Sequence, residues 1–345
     1  MSSSLRDSIN LLCLWLIAVS AAYASSDAIS YKNGEINKDS NSDSKIEIVK
    51  EDWLDQKRNR SLPVKIYHPR TSNEKCPIII FSHGLGGSRE AAQYLGQAWA
   101  NNGYFCVFVQ HPGSDKSLWE GSTNKGEIVS VLKTSINPRA TFARVKDISF
   151  VIDQINLLNQ KDTRFSGKLD PEKIGIAGHS FGGWTSLAMA GQSFGGALGD
   201  TGRSLSFGDP RIKAAIYLSP PAYRGRMPAE KSFGTIAIPG MVITGSQDTD
   251  MIVNAKPEDR AKIFDYIKAP HQYLLFFEGA AHQTFGGRRR PGPQGGLDSE
   301  IESFVSQSTV KFWDAYLRSD PKARAWLDDG QLASTLGNNA RVSIK

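Results

Sequence analysis

Lys173-Ile174-Gly175-Ile176-Ala177, then Gly178-His179-Ser180-Phe181-Gly182-Gly183, then Trp184-Thr185-Ser186-Leu187-Ala188-Met189-Ala190: this stretch decides the fold. A short run that is apolar on both faces passes through a glycine-flanked serine straight into a good helix former. Strands apolar on both faces belong to parallel sheets covered by helices. The joining turn is so tight that side chains near the serine must be absent, which Gly178 and Gly182 provide. Such a turn holds a hydroxyl above the sheet and aims a helix N-terminus at the same point. Ser180 is therefore the candidate nucleophile and the Phe181 amide a candidate oxyanion donor. His179 and Trp184, beside the turn, are candidate substrate contacts.

Outward from this stretch the same grammar repeats. Apolar runs at Pro77 to Phe81, Tyr104 to Val109, Ile212 to Leu218, Met241 to Thr244 and Gln272 to Phe277 alternate with helical segments. Phe142, Val145, Ile148, Ile152 and Ile155 recur at helical spacing, as do Ile301, Phe304, Val305, Phe312, Trp313 and Tyr316. Ile46 to Val49 and Leu62 to Tyr67 alternate apolar and polar around a charged stretch, Asp55 to Arg60, and predict a half-exposed antiparallel hairpin at a sheet edge. The whole reads as one α/β domain over 46–345, a doubly wound, mostly parallel sheet with a leading hairpin. Chemistry then belongs just after the strands, at their carboxyl ends.

A serine hydroxyl needs a base. The chain has six histidines. A nucleophile on a strand-turn-helix takes its partners in the order serine, acid, histidine, which leaves His271 and His282. His271 opens the last apolar run, at the wrong end, whereas His282 follows it and is the candidate base. Met241 to Thr244 leads into Gly245-Ser246-Gln247-Asp248, so Asp248 is the candidate acid, ahead of Asp250 and Glu278. The second oxyanion donor is expected in Ser82-His83-Gly84-Leu85-Gly86-Gly87, at the Leu85 amide. Gly191-Gln192-Ser193-Phe194-Gly195 repeats the serine pattern but follows a helix, so Ser193 is expected in a loop over the site. No spacing suits a metal, and the glycine-rich turn lacks a nucleotide-binding ending, so no cofactor is implied.

Composition narrows the class. The 345 residues are 40% hydrophobic and 22% charged, with only 3 cysteines and a net charge of +6, which excludes disorder and a disulfide scaffold. The basic excess is spread out, apart from Arg288-Arg289-Arg290, which reads as a solvated loop, so no nucleic-acid partner is expected. Arg6, an apolar run from Ile9 to Val19 and Ala22-Tyr23-Ala24 read as a signal peptide over 1–24, too short for stable membrane insertion, and imply a secreted or periplasmic protein. Ser25 to Lys45 reads as a flexible lead. Cys76 and Cys106 could then pair or remain small buried hydrophobes. The segments from Pro112 to Pro138, Gln192 to Asp209 and Gly286 to Gly296 lack a long amphipathic lid pattern, which predicts an open, polar-rimmed site for short acyl groups.

His83 to Gly87, Gly178 to Gly183, Asp248 and His282 resemble the α/β-hydrolase superfamily. Within it the chain is similar to the bacterial dienelactone-hydrolase-like and platelet-activating-factor-acetylhydrolase-like group, from Ile46 to about Arg318, including Arg58 to Tyr67. The resemblance implies a serine ester hydrolase without a cofactor, acting on a small-molecule or lipid-like ester. Two departures stand out. Dienelactone hydrolases proper use a cysteine where this chain has Ser180, and the acetylhydrolases place their acid where it has Ser219. Acyl transfer by the same residues and a non-catalytic binder on this scaffold are the alternative readings.

Overall fold

The computed structural model describes residues 31–32, 44–72, 74–195, 204–249 and 255–345. The expected signal segment lies outside them. Strands β1 (Tyr31–Lys32), β2 (Ile46–Asp55), β3 (Arg60–Pro69), β4 (Cys76–Ser82), β5 (Phe105–Val109), β6 (Leu169–His179), β9 (Ile212–Leu218), β10 (Gly240–Gln247), β11 (Gln272–Ala281) and β12 (Ala340–Ile344) form a ten-stranded sheet, and β7 (Ser193–Phe194) and β8 (Leu205–Ser206) a small ribbon. Helices are α1 (Gln93–Asn101), α2 (Lys125–Ser135), α3 (Pro138–Lys161), α4 (Phe181–Met189), α5 (Ala229–Phe233), α6 (Pro257–Tyr266), α7 (His282–Phe285), α8 (Pro293–Leu317), α9 (Pro321–Asp328) and α10 (Gln331–Leu336).

The sheet order is β1-β2-β3-β5-β4-β6-β9-β10-β11-β12. β5, β4, β6, β9, β10 and β11 run parallel, and antiparallel strands close both edges. The expected hairpin is present as β2 and β3, in register from Ile46 opposite Pro69 to Asp55 opposite Arg60. It is half-exposed as expected: on β2 Val49 and Trp53 are buried while Asp52 and Leu54 are exposed, and on β3 Ser61 is exposed while Leu62, Val64, Ile66 and Tyr67 are buried. The expectation of a wholly flexible lead is corrected at Tyr31–Lys32, which add a strand against Trp53 and Asp52.

Each parallel strand divides its side chains between two cores, as alternation requires. Ile79 and Phe81 of β4 and Cys106 and Phe108 of β5 face the core shared with α1 and α8. Ile78, Ile80, Phe105 and Val107 face the core shared with α3 and α4. Cys76 and Cys106 are buried free thiols, so they serve as small hydrophobes and form no bridge. The α3 stripe is Val145, Ile148, Ile152 and Ile155; Phe142, expected in it, is exposed.

The chain goes from β4 outward to β5 and returns past β4 to β6, so the sheet order reverses beside β4. Ligand crevices form at such switch points. Ser82 is in register with Gly178, which sets the loop after β4 level with the turn after β6.

Candidate active site

Ser180 sits at φ 56°, ψ −118°, a strained conformation for a residue with a side chain, between β6 and α4. The neighbouring glycines are obligatory. A Cβ on Gly178 would lie 2.1 Å from the Gly182 carbonyl oxygen, and one on Gly182 would lie 1.8 Å from that of Ser82. The turn is thus wedged between its own helix and the β4 loop. Gly84 stands against it, since a Cβ there would be 3.2 Å from the Ser180 Cβ.

The ends of β10 and β11 bring the other two groups together. Gln247 is in register with Ala281, which places Asp248 beside His282. His282 Nδ1 donates to Asp248 Oδ1 at 2.7 Å, leaving Nε2 as the nitrogen with the lone pair. Asp248 is fully buried, and its Oδ2 accepts from Thr244 Oγ1 at 2.7 Å. Burial alone would raise its carboxyl, but the hydrogen bond and charge of His282 and the charge of Arg260 outweigh it and hold the pKa at about 2. Arg260, itself fully buried, approaches Asp248 Oδ1 through Nε at 3.2 Å and donates to the Ser219 and Pro220 carbonyls. Ser219 thus gives its carbonyl to the guanidinium that serves Asp248.

Of the alternative acids, Glu278 is exposed and lies 3.7 Å from Arg341, and Asp250 lies outside the described residues. His271 sits at the opposite end of β11, against Arg324.

His179 is buried rather than open to a ligand. Its ring lies 4.7 Å from that of His282, and its Nε2 donates to the His282 carbonyl at 2.9 Å. Burial, and then the charge of His282, lower its pKa to about 3. Trp184, half-buried, stacks between Phe181 and Phe194, with centroids 5.8 and 5.5 Å away. Ser193 is buried in the β7–β8 ribbon rather than a loop, and its carbonyl accepts from Ser232. Leu85 is half-buried on the loop after β4.

The rim differs from expectation in two places. The segment from Pro112 to Pro138 contains helix α2, with Asn124 capping its first turn. Val129, Val131 and the adjoining Ile136 are exposed, and the Leu132 side chain would come within 2.8 Å of a Cβ on Gly86, so the helix leans on the loop after β4. The arginine cluster is not simply solvated. Arg290 pairs with the buried Asp298 at 2.7 Å, which also accepts from Thr284 of α7, and Arg289 pairs with Glu302. These pairs brace the His282 loop. Among the described residues, no three His, Cys, Asp or Glu side chains gather as a metal site would require. No helix among them is long and apolar enough to cross a membrane.

A model of the alpha/beta hydrolase family matches residues 79–336, and the chain belongs to that family. It is similar to the platelet-activating factor acetylhydrolase of Cavia porcellus, 23% identical over 77% of this chain and 63% of the relative. The acetylhydrolase of Canis lupus familiaris is 28% identical over 36% of this chain and 34% of its own length. The cutinase est2 of Thermobifida alba is 23% identical over 70% of this chain and 72% of its own.

Proposed function

We propose that this protein is a serine carboxylic-ester hydrolase. Ser180 Oγ attacks the ester carbonyl while His282 Nε2 takes its proton. His282 then protonates the departing alcohol, and water, activated by the same nitrogen, clears the acyl group from Ser180. Asp248 keeps the His282 proton on Nδ1 and stabilises the imidazolium. The amides of Leu85 and Phe181 receive the oxyanion. The observation that carries this reading is the Asp248–His282 hydrogen bond at 2.7 Å, with His179, the residue before Ser180, 4.7 Å ring to ring from His282 and Ser180 itself held at φ 56°. The names of the acetylhydrolase and cutinase relatives support it. Turnover of nitrophenyl acetate by the wild-type chain, lost in Ser180→Ala, is the expected result; equal turnover by both overturns the reading.

The substrate we propose is a short-acyl ester of about two to six carbons, held by Leu85, Phe181 and Trp184. The exposed apolar residues of α2 favour a second reading, in which lipid-like esters reach the site from an interface. A nitrophenyl ester chain-length series, with and without emulsified triglyceride, separates them. We further propose export, with the mature chain beginning near Ser25, a lead to Lys45 that adds the strand Tyr31–Lys32 to the sheet, and one domain from Ile46. N-terminal sequencing of protein from the native cell that recovers Met1 would refute the export.

A further inference from the structure

Beneath the oxyanion side of the site lies a charged network to which the reaction above gives no role. Arg144 of α3 is fully buried. Its Nε donates to Ser114 Oγ at 2.9 Å, and its Nη1 donates to the His83 carbonyl at 2.8 Å and to Ser82 Oγ at 3.2 Å. The guanidinium carbon also stands 4.3 Å from the centre of the Phe181 ring. One cation therefore touches both segments that carry the proposed oxyanion donors.

The peptide geometry shows what that contact does. The Gly84–Leu85 peptide is planar, and in a trans peptide C=O and N–H point in opposite directions. The Gly84 carbonyl is held inward by His83 Nδ1 at 2.6 Å and by the Gly87 N–H at 3.1 Å, with Arg144 Nη2 behind it at 3.5 Å. The Leu85 N–H must then point outward, and among the described residues no protein group accepts from it. Donors on a carbonyl also polarise the N–H of the same peptide and strengthen it as a donor. His83 is fixed in turn, because its Nε2 accepts from the His111 N–H at 3.1 Å.

We propose that Arg144, acting with His83, is a positioning residue that fixes the two oxyanion amides through the Gly84 peptide and Phe181. The proposal rests on the ester-hydrolase reading above. Burial lowers the Arg144 pKa to about 9, and the charges of Asp147 and Asp115 offset only part of that. Asp147, one turn along α3, accepts from Arg58, from Arg60 and from His111 Nδ1 at 3.0 Å. His111 Nε2 lies 3.0 Å from Ser82 Oγ, which accepts from Arg144.

A group that aligns oxyanion donors acts on the transition state more than on bound substrate. Arg144→Lys and the milder Ser114→Ala, which removes the acceptor of Nε together with that hydroxyl's own hydrogen bond to the His111 carbonyl, are compared with wild type on a nitrophenyl ester and in inhibition by a boronic acid that forms a tetrahedral adduct. The expected result is a fall in kcat on the order of 10- to 100-fold for Arg144→Lys, and about 3- to 10-fold for Ser114→Ala, with KM nearly unchanged. Boronate affinity falls in step with kcat/KM, and guanidinium ions restore part of the rate to Arg144→Ala. If Arg144→Lys does not fold, Ser114→Ala decides alone. A kcat within twofold of wild type in the folded variants, or a loss confined to KM, overturns the proposal. Ser180→Ala run alongside keeps the two readings apart: if it is inactive while these variants keep full kcat, only this inference fails.

Discussion

Among the described residues two Ser-His-Asp sets stand out, and comparing them shows what the residue types alone do not decide. Ser82, His111 and Asp147 are linked by hydrogen bonds of 3.0 and 3.0 Å, in the same sense as a catalytic relay. All three are 0% exposed. The other set, Ser180, His282 and Asp248, buries only its acid, and the His282 side chain is 29% exposed. Ser82 ends a strand in ordinary extended geometry with its hydroxyl tied to Arg144, whereas Ser180 stands on a strained turn at a helix N-terminus. Access, backbone strain and an aimed helix separate a reactive hydroxyl from a structural one. On the proposed reading, the sealed set supports the loop after β4 and the open set does the chemistry.

The largest effect that can break this comparison is on Ser180. Ser180→Ala should lower ester turnover by a factor on the order of 10⁴ or more, while Ser82→Ala, which disturbs only the supporting network, should cost at most about tenfold. Comparable losses from both would erase the distinction. Next comes the acid: Asp248→Asn should lower kcat by roughly 10⁴, because the amide no longer holds His282 in the required tautomer. Glu278→Gln should keep near full rate, since that carboxylate faces solvent and Arg341.

Stability against pH sharpens the comparison further. Burial, and then the charge of Arg144, lower His111 to about 4, and His179 lies at about 3. Both folded values fall below the ordinary histidine value of about 6.5, so the unfolded chain binds more protons as acid is added. Their contribution is complete above pH 6.5 and is lost as pH falls toward 4 and 3. Asp147 and Asp248, both held near 2, add their loss only below the ordinary 3.8. The melting temperature should therefore drop by at least roughly several degrees between pH 7 and 4. A flat curve over that span contradicts the neutral, buried histidines. The smallest effect is at the second serine pattern: Ser193→Ala should leave activity within about twofold.

The comparison also marks what could be read from the chain. The elbow, the strand ends that hold Asp248 and His282, and the loop after β4 were legible because glycine spacing and apolar runs encode backbone geometry directly. Arg144, Arg260 and Asp298 were not, since a charged residue in a sequence reads first as solvated. Arg144 did leave a trace: it lies four residues before Ile148, on the buried stripe of α3, whereas Phe142, counted in that stripe, is exposed. Helix α2 escaped notice because its apolar residues follow no stripe and several of them face outward. The arginine cluster misled because its partners, Asp298 and Glu302, come from α8, and pairing across elements has no local signature.

The most direct test is covalent. A fluorophosphonate reports which serine is both activated and reachable, and peptide mapping of the labelled wild-type protein separates Ser180 from Ser82 and Ser193. The account predicts a single modified peptide containing Ser180 and no label in Ser180→Ala. Label on Ser82 or Ser193, or undiminished labelling of Ser180→Ala, would contradict it.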